Sequence, residues 1–391
     1  VPELLDSLDL GAGYRLAIVD DGDRVSALPM AGDARAQPGD GASEALLRLL
    51  AAGSSTLGRF DVRSWSTKTT AAGERAVGVD QTNESVIVGD AAVVKWATHL
   101  QLGPHPAPER LTLLREAGFT GMPAPWGMIT WRTPDGDETL VASVDDYLPG
   151  AVDGWTWAVE MITAAALSAD PAPAVSAAAS LGVLVADLHD CLSATVGTAS
   201  TVDAARWRTQ ALDVLDIACA SGDSPAAALA RQRHSEITGL LDELGSLAGS
   251  PVIHGHGDLH VGQILRAQNR YFVTDFDGNP VLPVAQRMLP IPAALDVAGL
   301  AQSLVHAAVV ARKYTDLDPV VVADVDAALR SAFLSAYTGA LTQPIYRGAA
   351  LRAFRLQQVL REIVYAARHL PRWMYVPDAA LPALLDERTA L

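Results

Sequence analysis

Residues 252–280, VIHGHGDLHVGQILRAQNRYFVTDFDGNP, carry the side-chain types that phosphoryl transfer requires. Two short apolar runs end near Ile253 and Val273, and each delivers an acidic group, His256-Gly257-Asp258 and Asp275-Phe276-Asp277-Gly278. Between them Gln263 places an amide side chain five residues after Asp258. Transfer from a nucleoside triphosphate needs one carboxylate to orient the attacking hydroxyl, and further oxygen donors to hold magnesium against the phosphates. Asp258 is the candidate base. Gln263 and Asp275 are the candidate ligands of Mg2+, a hard ion suited to oxygen. Asp277 either supports them or meets a second metal, and His256 is expected to orient the loop without acid–base chemistry of its own.

The same letters admit a different chemistry. His254, His256, Asp258 and His260 alternate as HxHxDxH, close to the HxHxDH of binuclear metallohydrolases. The spacing is one residue too long for that motif, and only His306 and His369 follow. A buried strand and loop with incidental histidines is the plainest alternative. Taken in order, the GDLHxGQ and DFDG runs resemble the catalytic and metal-binding segments of the aminoglycoside-phosphotransferase-like kinases, most of all their maltokinase branch. That resemblance implies an α+β, bilobal, protein-kinase-like fold with ATP as co-substrate. It places an N-terminal cap subdomain at 1–77, an ATP-binding N-lobe at 78–149 and a helical C-lobe at 150–391. Kinases usually place Asn where Gln263 stands, but maltokinase-like sequences share the glutamine.

The elements that would position these groups follow from pattern. GYRLAIVDDGDRVSALPM reads as two strands around an Asp-Gly-Asp turn, and GDGASEALLRLLAAG as a short amphipathic helix stopped by Gly53. VGVDQTNESVIVGDAAVVKW reads as a hairpin whose polar turn, 81–85, resembles the triphosphate-facing turn of maltokinases, making Ser85 a nucleotide contact. Lys95 ends an apolar strand, where a charge must be exposed or paired. The resemblance has it bridging the nucleotide phosphates, held by Glu109 of the next helix or by Glu116 two turns on. A plain hairpin, a strand-end surface lysine and a first-turn acid complementing the helix dipole are the ordinary readings. The strand TLVASVDDYL breaks at Pro149-Gly150 as a hinge would, so the backbone of Asp146, Tyr147 and Leu148 is expected to meet adenine.

From Thr156 onward apolar residues recur at three and four spacing in Ala-rich sequence, and a helical bundle is expected. His189 and His234 there read as packed or surface histidines. Asp296 precedes a long helix and serves either as its N-cap, worth about 1 kcal/mol, or as an acid facing the acceptor. In the last long helix maltokinases tend to read E-K-A-x-Y-E, whereas this chain has Gln357-Gln358-Val359-Leu360-Arg361-Glu362. The missing lysine removes a charge that would repel an ammonium group. Gln358 and Glu362, four apart, share one helix face, and Trp373 offers an apolar wall or simply packs. With Asp258, Asp296 and Glu362 available, a cationic sugar is expected. The Q-x-x-R-E pattern resembles actinobacterial glucosamine kinases, which implies phosphate transfer to O6 of glucosamine. Maltose or another neutral sugar, an aminoglycoside, and a non-enzymatic sugar or nucleotide sensor are the competing readings.

Composition narrows the setting. A net charge of −16 argues against nucleic-acid or anionic-membrane partners, which need clustered Lys and Arg. Cys191 and Cys219 are too few for a disulfide framework, so a reducing cytoplasm is expected. No run of about 18 apolar residues lacks a charge or proline, which excludes a membrane span on this reading. VPELLDSLDL has no basic start or apolar run of a signal peptide. The expected partners are a small sugar and ATP, with a monomer favoured.

Overall fold

The computed structural model describes residues 2–68, 73–77, 84–168 and 170–387. The polar turn expected to cover the triphosphate falls partly outside these, at 81–83. The chain divides into two compact units, one of Val1–Ala151 with Asp275–Leu289 and one of Val152–Thr274 with Pro290–Leu391.

The first unit opens with a four-stranded antiparallel meander, β1 (Glu3–Gly11), β2 (Tyr14–Asp20), β3 (Val25–Ala31) and β4 (Ala34–Arg35). Strand alternation sets its faces: Leu8 and Leu10 are buried while Asp9 between them is exposed. The amphipathic helix α1 (Ala42–Ala51) follows and ends before Gly53. It buries Ala45, Leu46, Leu47 and Leu50 in one core with Leu16 and Ile18 of the meander and with Phe60, Val94, Trp96 and Trp131 of a second sheet. Each such aliphatic side chain contributes roughly 1.5–3 kcal/mol when fully buried. The second sheet has seven strands in the order β5-β6-β10-β11-β9-β8-β7. These are β5 (Ser55–Leu57), β6 (Phe60–Ser64), β7 (Glu74–Ala76), β8 (Glu84–Val88), β9 (Ala92–Trp96), β10 (Pro125–Arg132) and β11 (Glu138–Asp146). The expected cap boundary at 77/78 therefore falls inside a sheet. Between β9 and β10 lies α2 (Pro106–Glu116), whose first position holds a proline that sacrifices no intrahelical bond.

Past Ala151 the period of two gives way to helical spacing. α3 (Gly154–Ser168), α4 (Ala172–Leu192), α5 (Thr201–Ala220), α6 (Pro225–Gln232) and α7 (His234–Asp242) lead to the candidate catalytic stretch. A capping box between Ser200 and Asp203 starts α5. β12 (Gly197–Thr198) pairs with β13 (Pro251–Val252), and β14 (Ile264–Ala267) with β15 (Arg270–Val273). α8 (Val284–Arg287) is one turn within the first unit. α9 (Ala293–Tyr314), α10 (Pro319–Ala340), α11 (Leu351–Arg368) and α12 (Tyr375–Leu385) complete the second. By length and composition α4 and α9 would pass for membrane spans, but α9 is mostly buried and α4 packs along α10, as core helices do.

Two glycines decide how closely helices approach the loop 254–263. A Cβ at Gly299 of α9 would lie 2.3 Å from the Leu259 carbonyl oxygen, and one at Gly154 of α3 would lie 1.5 Å from that of Val261. Neither loop carbonyl can withdraw without moving the loop. Gly299→Ala should therefore destabilise the protein by about 1–3 kcal/mol through overpacking. Gly239→Ala in α7, where a methyl meets nothing within 4 Å, should stabilise it by about 0.5–1 kcal/mol. Urea unfolding of both variants reads the opposite signs directly.

Candidate active site

The loop 254–263 of the second unit is positioned by a buried carboxylate. Asp296, wholly buried in the first turn of α9, accepts the N–H groups of His256 and Gly257, each at 2.8 Å. His189 Nε2 lies 3.3 Å from the same carboxylate, and its Nδ1 is 2.9 Å from the Tyr337 hydroxyl. Burial pushes the Asp296 pKa up, but His189, His256 and the Gly257 amide outweigh it and hold the group below the usual carboxylate range. This corrects the reading of Asp296 as an N-cap or an acceptor-facing acid. Pro292 occupies the cap, and a residue one turn into α9 points back at the loop backbone.

His256 continues the strut. Its Nδ1 accepts the Asp258 N–H at 3.4 Å and its Nε2 donates to the Thr274 carbonyl at 3.0 Å. The Thr274 N–H donates in turn to the Gln263 carbonyl at 2.8 Å. His260 turns its Nδ1 to the Gly262 N–H at 3.0 Å. His256 and His260 thus turn to separate backbone partners, against the metallohydrolase reading. Among the described residues no group of three or more His, Cys, Asp or Glu side chains is arranged around a metal position.

Helical spacing on α11 gathers the rest of this half of the site. Arg361 donates to Asp258 Oδ1 and to Gln358 Oε1, both at 3.3 Å. Gln358 donates to Glu362 Oε1 at 3.2 Å, and Trp373 Nε1 to Glu362 Oε2 at 2.9 Å. Trp155 meets Trp373 edge-on, with centroids 5.5 Å apart, and also stands against His260. Burial raises the Glu362 pKa, with Trp373 and Arg361 opposing. Asp258, Gln358, Glu362 and Trp373 are thus joined in one network. Arg361 and Trp155 join it without having been assigned a role from sequence, and His260, read there only as a possible metallohydrolase ligand, joins it too. Arg361 stood inside the Q-x-x-R-E run, so a signal existed for it, but nothing in the letters said where it pointed.

The first unit holds the groups expected to meet the nucleotide. Antiparallel register sets Lys95 opposite Ser85 on one side and Ser143 on the other. One step of the pleat along β11 puts Asp145 on the same face, and Lys95 Nζ is 3.3 Å from its carboxylate. Burial draws the Lys95 pKa down, yet Asp145, Asp275 and Asp277 outweigh it and keep the ammonium charged. The carboxylate paired with Lys95 is therefore Asp145 and not Glu109 or Glu116. The helical phase of α2 explains the correction. Arg110 lies on its buried face, Glu109 turns instead to a cavity of about 370 Å³ with Arg63, His105 and Thr112, and Glu116 is exposed.

Arg110 does what the sequence did not disclose. Buried on α2, it donates to the carbonyls of Phe276 at 2.8 Å and Arg287 at 3.0 Å. These bonds explain why residues 275–289 cluster with the first unit and not with the helical one, as chain order implied. Asp275 has φ +66°, a left-handed conformation that Asp tolerates better than most residues. At the expected hinge, the Asp146 N–H is bound to Ala124 and the Tyr147 N–H to Ala91, continuing the strand ladder. The Asp146 carboxylate takes Lys68 at 2.7 Å and Trp126 Nε1 at 2.5 Å. Neither amide is therefore available to adenine as expected. Leu148 alone of the three keeps an N–H with no partner among the described residues.

No family model matches the chain. It is 57% identical to the glucosamine kinase of Mycolicibacterium smegmatis, over 99% of each chain. It is 42% identical to the glucosamine kinase of Streptacidiphilus jiangxiensis, over 99% of this chain and 92% of that one. Among solved structures, a glucosamine kinase in complex with glucosamine, ADP and inorganic phosphate matches at 40% identity with a TM-score of 0.88, over 98% of this chain and 94% of that one. The expected α+β class is the observed one, and the fold matches that solved glucosamine kinase over nearly the whole chain.

The donor set around Asp275 suits a hard cation. Burial and the neighbouring Asp275 push the Asp277 pKa up to about 7 against Lys95, Arg110 and Arg287. His105, 3.9 Å from Asp277, is held down to about 4 by burial and by Arg287 and Arg110, so it does not neutralise that carboxylate at pH 7. The unfolded chain ionises Asp277 near 3.8 and the folded one near 7. Between these values the unfolded state binds fewer protons, so stability falls as pH rises, and the whole cost is present above pH 7. Asp277→Asn should accordingly raise the urea midpoint of metal-free protein at pH 8 and leave it unchanged near pH 3.5. An equal shift at both pH values would count against this account.

Proposed function

We infer the reaction from a premise that identity at this level supplies: the chain belongs to the glucosamine kinase family and is a phosphotransferase that acts on a hydroxyl acceptor, a sugar kinase. In this reading the acceptor is glucosamine and the donor is ATP. The supporting observation is the network around α11, where a half-buried Glu362 sits between Gln358 and Trp373 and joins through Arg361 to Asp258. A half-buried carboxylate beside an indole suits an ammonium group on an otherwise polar ring better than it suits a neutral disaccharide.

Asp258 accepts the hydrogen bond of the sugar 6-hydroxyl and aims its oxygen at the γ-phosphorus. The new O6–P bond forms as the bond to the β-phosphate bridging oxygen breaks, ADP leaves, and the hydroxyl proton passes to Asp258. Lys95, kept charged by Asp145, binds phosphate oxygens. The Leu148 N–H serves the adenine edge. Gln263 and Asp275 are the oxygen donors that would hold Mg2+, with Asp277 beside them. Bound there, the ion offsets the negative charge of the triphosphate.

A coupled ADP-release screen across glucosamine, maltose and aminoglycosides tests the acceptor. Turnover should depend on glucosamine and vanish with a chelator until Mg2+ is restored. Turnover with maltose alone, or with an antibiotic alone, would sink the amino-sugar reading, and ATP binding without turnover on any sugar would favour a sensor. Asp258→Asn should lower kcat by about 10²- to 10⁴-fold while calorimetry still records ATP binding.

A further inference from the structure

The segment after α12 carries a carboxylate that reaches deep into the helical unit. Glu387 Oε1 accepts from Arg330 Nη1 at 2.6 Å and its Oε2 from Arg355 Nη1 at 2.8 Å. Both arginines are buried, at 8% and 3% exposure. Arg330 also donates to Asp326 on its own helix at 3.1 Å, and Arg355 to the wholly buried Gln302 of α9 at 3.1 Å. The cluster thus sets two guanidinium groups against two carboxylates. Without Glu387 it would hold one uncompensated buried cation, the costly way to break such a group.

What makes this more than a stability feature is where Arg355 sits. Arg355, Gln358 and Glu362 fall at i, i+3 and i+7 of α11, a single stripe of the helix. The buried end of that stripe is fixed by Glu387 and Gln302, and the other end bears the acceptor-site groups. The neighbouring backbone holds the segment in place. Arg352 of α11 donates to the carbonyls of Leu384 and Leu385, and Arg233 pairs with Asp386 at 2.6 Å.

We propose that Glu387 is a positioning residue for the acceptor site: by clamping Arg355 it sets the rotation of α11 that presents Gln358, Arg361 and Glu362. It touches none of the reacting atoms. The inference rests on the assignment of those residues to the sugar acceptor.

The test is steady-state kinetics with glucosamine and ATP on the full chain, with thermal unfolding measured alongside. Glu387→Gln should raise the KM for glucosamine about ten-fold, with the KM for ATP unchanged and kcat little changed. Glu387→Asp, which restores the charge on a shorter arm, should recover most of the loss. The double variant Glu387→Gln/Arg330→Met removes one cation and one anion together. It should regain Tm while the glucosamine KM stays high, because Arg355 still lacks its carboxylate. A Tm and a KM that recover together, a glucosamine KM unmoved in Glu387→Gln, or a charge-balanced double variant that still does not fold would each overturn the positioning role. Wild-type protein inactive toward glucosamine would instead sink the assignment of the acceptor.

Discussion

The Asp296 carboxylate is the interaction on which the placement of the loop 254–263 depends. A buried anion is costly unless its lone pairs are filled, and here two loop amides and a histidine fill them. The requirement works in both directions. Satisfying Asp296 forces the His256-Gly257 backbone against α9, and this carries Asp258 to its place. The His189 ring, set between Tyr337 and Asp296, extends the tie across α10, α4 and α9. Three helices thus hold one loop.

The first unit solves a similar problem with a cation. Arg110 donates into the backbone around Phe276 and Arg287, and Arg287 donates further to the carbonyls of Pro280 and Leu282. A planar guanidinium with several fixed donors can satisfy carbonyls at two places in one segment, which a lysine would do poorly. The segment that carries Asp275 and Asp277 is then held with its carboxylates near each other, and the raised pKa of Asp277 registers their proximity. Such repulsion makes the pair receptive to a hard cation.

On α11 the polar groups form a chain in which nearly every donor has an acceptor, from Asp258 through Arg361 and Gln358 to Glu362 and Trp373. The buried arginine cluster behind it obeys the same rule of compensation. Polar groups inside the helical unit are paired across elements and so fix the relative setting of helices more narrowly than apolar contacts, which tolerate sliding.

What the letters alone determined is what depends on local spacing. That the chain is a phosphotransferase could be read from the stretch holding Asp258, Gln263 and Asp275, because the order and separation of its residues are intrinsic to one short run. The end of an apolar strand marked Lys95, and helical period placed Gln358 and Glu362 on one face. Tertiary structure decided the partners. Asp145 was in view as part of a hinge, yet only the register of β9 against β11 shows it beside Lys95. Glu109 and Arg110 are adjacent in the chain, and the rotation of α2 on its sheet gave the buried role to the arginine. Asp296 looked like a cap or a substrate acid because its carboxylate was legible and its direction was not. Side-chain direction is set by packing between segments far apart in sequence, and no pattern within a single segment encodes it.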